Sequence, residues 1–299
     1  MTLPPRAVLV HRRTELQELL ARHGTRGQAQ FFLQTRGQHI EDAESRHRAV
    51  QEAISTVSAA IPAKWRRAVV ERAELPTFLF EPGDIIVVAG QDGLVANLAK
   101  YLDGQVVIGI NPEPGRNPGV LVPHPALAAP ALLATAAGPA AARNVEELAM
   151  VEAATDDGQR LIALNEIYIG QPSHQTARYA LALPDGRTER QASSGVIVST
   201  GTGATGWCRS TWLERHSTLT LPAPAESRLA WFVREAWPSP ATGTTCTEGE
   251  LAPGQALSLT AQSDRLVLFG DGIEADAIPV DWGQAARITL AGRTLHILR

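Results

Sequence analysis

The sequence predicts a two-part chain, an α/β domain over residues 1–123 followed by a mainly antiparallel β domain over residues 124–299. Two observations in the first half and one in the second predict it. Asp84-Ile85-Ile86-Val87-Val88-Ala89 is a continuous, mostly β-branched run of the kind buried on both faces of a parallel sheet. A helical stripe (Leu94, Val95, Leu98, Ala99, Leu102) and a second apolar run, Val106 to Ile110, follow it as a βαβ unit. Past Val145 the pattern changes to short alternating segments separated by turns such as Asp156-Asp157-Gly158 and Pro184-Asp185-Gly186.

The remaining elements follow in order. Ala7 to Val10 reads as the first strand, and Thr14 with Gln17 has capping-box spacing for a helix through Arg22. Ile40 to Ile61 carries Ala49, Val50, Ala53, Ile54 and Val57 on one helical stripe. The run from Pro123 to Ala142 is apolar but interrupted by Pro125, Pro130 and Pro139, and reads as a covering segment or linker. In the second half, Glu147–Ala154, Leu161–Ile169, Thr176–Leu183, Arg187–Ala192, Leu257–Ala261, Leu266–Phe269, Ala286–Leu290 and Thr294–Leu298 read as strands, with one helix from about Ala204 to Arg215.

Composition narrows the function. With 299 residues and 44% hydrophobic content, the chain can bury two cores. Its 27 Lys plus Arg against 31 Asp plus Glu lack the basic excess of a nucleic-acid binder. Cys208 and Cys246 are far apart and in no ligand-spaced cluster, which argues against a disulfide scaffold or a zinc site and for a reduced, cytoplasmic setting. Neither a signal peptide at Met1–Arg6 nor a membrane span is expected.

Three segments carry candidate chemistry. Gly90-Gln91-Asp92-Gly93 lies where the buried strand turns into a helix, the place where α/β sheets bind ligands and helix N-termini attract phosphate. A carboxylate there suits a hydroxyl-activating base or a Mg²⁺ contact, and it equally suits a helix cap. Ser199-Thr200-Gly201-Thr202-Gly203-Ala204-Thr205-Gly206-Trp207 is a run of small residues between a strand and a helix, offering N–H groups and hydroxyls to an anionic or sugar-bearing ligand. Its literal GxGxxG lacks the βαβ context of a dinucleotide fingerprint. In Ala163-Leu164-Asn165-Glu166 an amide and a carboxylate interrupt an apolar strand, either to meet a ribose or as an ordinary half-exposed strand. Asp271-Gly272 is read as a hairpin turn.

Taken together and in this order, these segments resemble the NAD kinase family. Gly90-Gln91-Asp92-Gly93 is similar to its Gly-Gly-Asp-Gly turn, Gly109-Ile110-Asn111 to its Gly-Ile-Asn strand end, and Ala163 to Glu166 to its Ala-Leu-Asn-Glu strand. Ser199 to Trp207 resembles its Ser-Thr-Pro-Thr-Gly-Ser-Thr-Ala-Tyr stretch, and Asp271-Gly272 its late Asp-Gly. The resemblance implies an N-terminal Rossmann-like α/β domain and a C-terminal antiparallel β-sandwich, with the active site in the cleft between them. It implies ATP or polyphosphate as donor, Mg²⁺, the 2′-hydroxyl of the adenosine ribose of NAD as acceptor, and a homodimer or homotetramer. Carried over, Asp92 is the catalytic base, and Gly90 and Gly93 form its turn. Asn165 and Glu166 hold the acceptor's ribose, and Thr200, Thr202, Gly203, Ala204 and Thr205 line the nucleotide pocket.

The chain also departs from the family. Gln91 stands for the second glycine of the turn, Gly201 for proline, Ala204 for serine and Gly206-Trp207 for Ala-Tyr. Pro112-Glu113-Pro114-Gly115-Arg116-Asn117-Pro118-Gly119 replaces the family's Leu-Gly-Phe segment, and His11-Arg12-Arg13 its Asn-containing turn. The rival readings are a kinase of the same architecture acting on a nucleoside, sugar or lipid hydroxyl, a nucleotide-binding relative without turnover, and, more distantly, a dehydrogenase built on the GxGxxG.

Overall fold

The structure is a computed structural model describing residues 4–117, 119–139 and 141–299. Met1–Leu3, Pro118 and Ala140, which the sequence reading touched, lie outside the described residues. The chain divides into two compact units, one of Met1–Glu146 with His296–Arg299, the other of Glu147–Leu295. This division falls later than residue 123, because the Ala/Pro segment forms a helix that packs into the first unit's core instead of bridging to the second.

In the first unit the chain runs β1 (Arg6–His11), α1 (Glu15–His23), α2 (Arg26–Gln34), α3 (Ile40–Ala60), β2 (Arg66–Glu71), β3 (Asp84–Ala89), α4 (Asp92–Ala99), β4 (Val106–Ile110) and α5 (Ala129–Ala136). The strands lie in the order β2-β1-β3-β4, all parallel, and His296 and Ile297 add a parallel fifth position beside Val106 and Val107. Thr14 and Gln17 form the expected capping box at the start of α1. Ala7, Leu9, Ile85, Val87, Ile108 and Ile110 share a core with Val57 of α3 and Ala129, Leu133 and Ala136 of α5. The alternate residues Val8, Val10, Ile86 and Val88 are buried too, as is nearly all of α4, so both sheet faces are covered. Arg6 clamps the start of β3 with two bonds to the buried Asp84 carboxylate, Nε–Oδ1 2.8 Å and Nη2–Oδ2 2.6 Å.

The second unit contains β5 (Val145–Thr155, entering from the first unit), β6 (Arg160–Ala163), β7 (Glu166–Gly170), β8 (Ala177–Ala182), β9 (Thr188–Ser193), β10 (Gly195–Ser199), α6 (Trp207–Glu214), β11 (Leu229–Arg234), β12 (Glu248–Leu251), β13 (Ala256–Ala261), β14 (Arg265–Gly270), β15 (Ile273–Asp281) and β16 (Ala285–Leu298). One sheet has the antiparallel order β12-β11-β10-β7-β14-β15; the other joins β9, β8, β13 and β16, with β5 and β6 beside them. One apolar core draws on both, from Ile167, Val196, Trp231 and Leu268 on one side to Tyr179, Leu257, Leu259 and Ile288 on the other, which makes this unit an antiparallel sandwich.

The stretch Leu161–Ile169, expected as one strand, is two: β6 pairs with β5 in one sheet, and β7 pairs with β10 and β14 in the other. Leu164 and Asn165 are the residues on which the chain changes sheets. Conversely, Ala286–Leu290 and Thr294–Leu298, expected as two strands, are one continuous β16.

Candidate functional site

The order β2-β1-β3-β4 places a topological switch point between β1 and β3, where chain connections leave in opposite directions and a crevice opens at the strands' carboxyl ends. A cavity of about 450 Å³ lies there. The strand ends supply Arg12, Arg13, Thr14, Gly90, Gln91 and Arg116, and α2 and α3 with their connection supply Leu33, Gln38, His39, Asp42, Arg46 and Val50. Several of these charges are neutralised: Arg46 pairs with Glu15, and Arg13 lies 3.8 Å from Glu71. Arg12 and Arg116 have no side-chain hydrogen bond or ion pair among the described residues. Two unpaired guanidiniums thus border the turn that opens α4, whose first N–H groups have no partner within their helix.

Asp92 is the first residue of α4, and Gln91 is its N-cap, without a side-chain cap bond. The Asp92 carboxylate instead accepts three backbone N–H groups: Leu121 (2.8 Å) and Val122 (3.2 Å) on Oδ1, and Val120 (3.1 Å) on Oδ2. A carboxylate has about four acceptor positions, so one remains open, on Oδ2. The segment it holds lies hard against β4, since a Cβ on Gly109 would stand 2.0 Å from the Leu121 carbonyl oxygen. Asn111 donates to the Asn117 carbonyl (3.1 Å), and the Gln91 amide reaches Asn117 Oδ1 at 3.5 Å, so the side chain that replaces the family's glycine is tied to the loop after β4.

In the second unit, the sheet change at Leu164–Asn165 is held by Asp271, whose carboxylate accepts the N–H of Leu164 (3.1 Å) and Asn165 (2.6 Å). Asp271 and Gly272 both have positive φ, the hairpin turn expected of Asp-Gly. Asp92 and Asp271 thus both use their carboxylates to fix a neighbouring backbone segment. The Thr200 hydroxyl is spent internally: it donates to the Leu164 carbonyl (2.6 Å) and accepts from Thr202 N (3.1 Å) and Gly203 N (3.3 Å). The Thr205 hydroxyl donates to the Thr202 carbonyl, and Ala204 is buried.

Two of the glycines in this turn have steric reasons. A Cβ on Gly201 would lie 2.0 Å from the Ala223 carbonyl oxygen, and one on Gly203 2.3 Å from that of Asn165. What stays available is the Thr202 hydroxyl, buried without a partner, together with the side chains of Asn165 and Glu166, which make no hydrogen bond among the described residues. Burial, and then the charge of Asp271, push Glu166 up to about 7. Cys208 is buried and its thiol is raised to about 11, chiefly by burial, so it is no nucleophile near neutrality. Beyond the turn, Trp207 stacks on Tyr168 at 5.6 Å.

The sequence reading located Gly90–Gly93, Asn165–Glu166 and Thr200–Thr205, and the structure brings the last two groups together through the hydrogen bonds from Thr200 to Leu164 and Asn165. It missed the cavity residues Gln38, Asp42 and Arg46, and named Arg12, Arg13 and Arg116 only as departures from the family. Arg12 and Arg13, standing directly after a strand's carboxyl end, were the signal that could have found it. The GxGxxG of Gly201–Gly206 links the antiparallel strand β10 to α6, so the βαβ context of a dinucleotide fingerprint is absent. Among the described residues, no three His, Cys, Asp or Glu side chains form a metal-holding group, and no helix is long and apolar enough to cross a membrane.

A parallel α/β unit with a Gly-Asp turn at its switch point, and an antiparallel sandwich with Asn-Glu at a sheet change, together define an NAD kinase-like fold. The chain is similar in structure to an NAD kinase from Archaeoglobus fulgidus, crystallised in complex with ATP; the match has a TM-score of 0.58 and 18% identity, and covers 98% of this chain and 93% of that one. No protein-family profile and no curated protein matches the sequence.

Proposed function

We propose that the chain is a kinase that transfers the terminal phosphoryl group of ATP to the 2′-hydroxyl of the adenosine ribose of NAD, giving NADP. The observation that carries this reading is the cavity at the switch point, with Arg12 and Arg116 unpaired beside the turn that opens α4. Phosphoryl transfer needs mainly positioning and charge stabilisation, and cationic side chains with free N–H groups supply both. In this reading, Arg12, Arg116 and the N–H groups at Gln91–Gly93 meet the donor's phosphates, and Gly90 and Gly93 let the backbone approach them.

Asp92, held by Val120–Val122, offers its open Oδ2 position to the acceptor hydroxyl and takes its proton. The hydroxyl oxygen bonds the terminal phosphorus as ADP leaves with the electrons of the broken phosphorus–oxygen bond. Asn165, Glu166 and Thr202 take hydroxyl groups of the dinucleotide, Gly203 and Ala204 line that pocket, and Thr200 and Thr205 build its wall. The reading includes Mg²⁺, which would be held largely by the donor's phosphates and would neutralise their charge. The reading includes a cytoplasmic setting and a homodimer or homotetramer, the latter open to sedimentation analysis.

A second reading, the same transfer onto another hydroxyl, is favoured by Gln91, which puts a side chain where the family has glycine and reaches Asn117. Incubation of the purified chain with ATP, Mg²⁺ and NAD, with NADP detected by an NADP-specific dehydrogenase, tests both. NADP from wild type and little from Arg12→Ala is expected. A folded, ATP-binding chain that forms no NADP would refute NAD as acceptor and turn the assay to nucleosides, sugars and lipids.

A further inference from the structure

The two sides of the switch-point cavity differ in charge. The strand side carries the unpaired Arg12 and Arg116, together with the carboxylate of Glu113. On the helical side Arg46 is neutralised by Glu15, and the remaining lining includes Gln38, His39, apolar Leu33 and Val50, and the carboxylate of Asp42. Asp42 makes no side-chain hydrogen bond or ion pair among the described residues. A polyphosphate chain extended across this cavity would meet an unpaired anion and apolar carbon where it needs cations. A sugar suits the same wall, because a carboxylate accepts two hydroxyl hydrogens and the part-exposed aliphatic side chain of Val50 can face a ring.

We infer that the helical wall formed by α2, α3 and their connection reads the nucleoside part of the phosphoryl donor, with Asp42 accepting its ribose hydroxyls and Gln38 offering its amide to the base. The inference rests on the kinase reading of the cavity and adds to it the residues that make the donor a nucleotide. Its structural alternative is that Asp42, in the first turn of α3, only complements the helix dipole.

Calorimetric titration of the full chain with ATP, 2′,3′-dideoxy-ATP and inorganic tripolyphosphate separates these roles. Hydrogen bonds to a charged group are each worth enough to shift affinity about 10-fold or more. Wild type is therefore expected to bind ATP at least about 10-fold more tightly than either of the other two probes. Asp42→Ala should bring ATP down to the dideoxy level and leave tripolyphosphate unchanged, whereas Arg12→Ala should weaken all three. Asp42→Leu, which is close in size and carries no acceptor, gives the same comparison if the alanine variant folds poorly. Equal binding of ATP and tripolyphosphate, or an Asp42 substitution that shifts both alike, overturns the inference and leaves the phosphate site standing. If neither ATP nor tripolyphosphate binds the folded wild type, the kinase reading of the cavity falls, and this inference falls with it.

Discussion

Replacing Asp92 changes the backbone segment that its carboxylate holds, and the size of that change follows from the hydrogen bonds it makes. Oδ1 takes the N–H groups of Leu121 and Val122, and Oδ2 that of Val120. A bond to an ionised acceptor contributes about 1.5–3 kcal/mol, and one between neutral groups about 0.5–1.5 kcal/mol. Asp92→Asn keeps one carbonyl-type oxygen, so Leu121 and Val122 each lose roughly 1–1.5 kcal/mol, while the Val120 N–H faces an amide that cannot accept. At 1.4 kcal/mol per factor of ten, amide exchange at Leu121 should quicken about 10-fold in Asp92→Asn and about 10- to 100-fold in Asp92→Ala.

Hydrogen exchange read by mass spectrometry on peptides covering Gly119–Pro123 measures this directly, with the peptides of β8 and β13 as internal controls. Exchange that stays at the wild-type rate in both variants would refute the anchoring role. The same result conditions any activity assay. A loss of turnover in Asp92→Asn reports a missing base only after the loosening of Val120–Val122 has been measured beside it.

Other expectations concern stability. Burial alone would raise the pKa of Glu189, but the Thr245 hydroxyl (2.6 Å), the Cys246 N–H (2.9 Å) and the Gln191 amide (2.6 Å) hold it at about 2, below an ordinary 4.5. Its contribution is full above pH 4.5 and fades as pH falls towards 2, so Glu189→Gln should flatten the acid side of the stability curve measured by urea unfolding. Glu166 has the opposite sign: raised to about 7, it favours the folded state below pH 4.5 and loses that contribution as pH rises to 7. Glu166→Gln should accordingly raise the melting temperature, relative to wild type, more at pH 8 than at pH 4; an equal shift at both would contradict the buried-carboxylate account. Gly201→Ala should cost about 1–3 kcal/mol or more, because its Cβ meets the Ala223 carbonyl at 2.0 Å, whereas Gly93→Ala, with open space around it, should be neutral or stabilising in the same unfolding assay.

Much of the first unit was legible because local pattern and burial agree there. Asp84–Ala89 is buried at every position, as its unbroken apolar run requires, and the capping box at Thr14 and Gln17 needs only neighbours in sequence. What escaped depends on distant partners. β2, Arg66-Arg67-Ala68-Val69-Val70-Glu71, is an edge strand with Val70 as its one buried side chain, so charge masks its pattern. α2, Arg26–Gln34, carries too little regular apolar spacing to be seen alone, and its Ala29 and Leu33 are buried by packing with Leu19, Ile40 and Ala43. The break at Leu164–Asn165 is set by the Asp271 carboxylate, which is far along the chain. At the candidate site, the sequence marked the turns; the cavity was hidden because its walls come from separate elements and because ion pairs decide which of its arginines remain free.

The four residues His296–Arg299 bear on how the chain is made. Leu298 is fully buried in the first unit's core, His296 and Ile297 complete its sheet beside β4, and the Arg299 guanidinium donates to the carbonyl of Val120 at 2.7 Å. Val120 is also a residue whose N–H Asp92 holds. During synthesis the first unit emerges early, but it must wait for everything from Glu147 to Leu295 before its last strand position and this carbonyl are filled. Contacts of such long sequence separation form late and slowly. Nascent chains stalled short of residue 296 should thus hold a first unit with an open sheet edge and a loosely seated Val120–Val122 segment, both of which tighten only once residues 296–299 have been made.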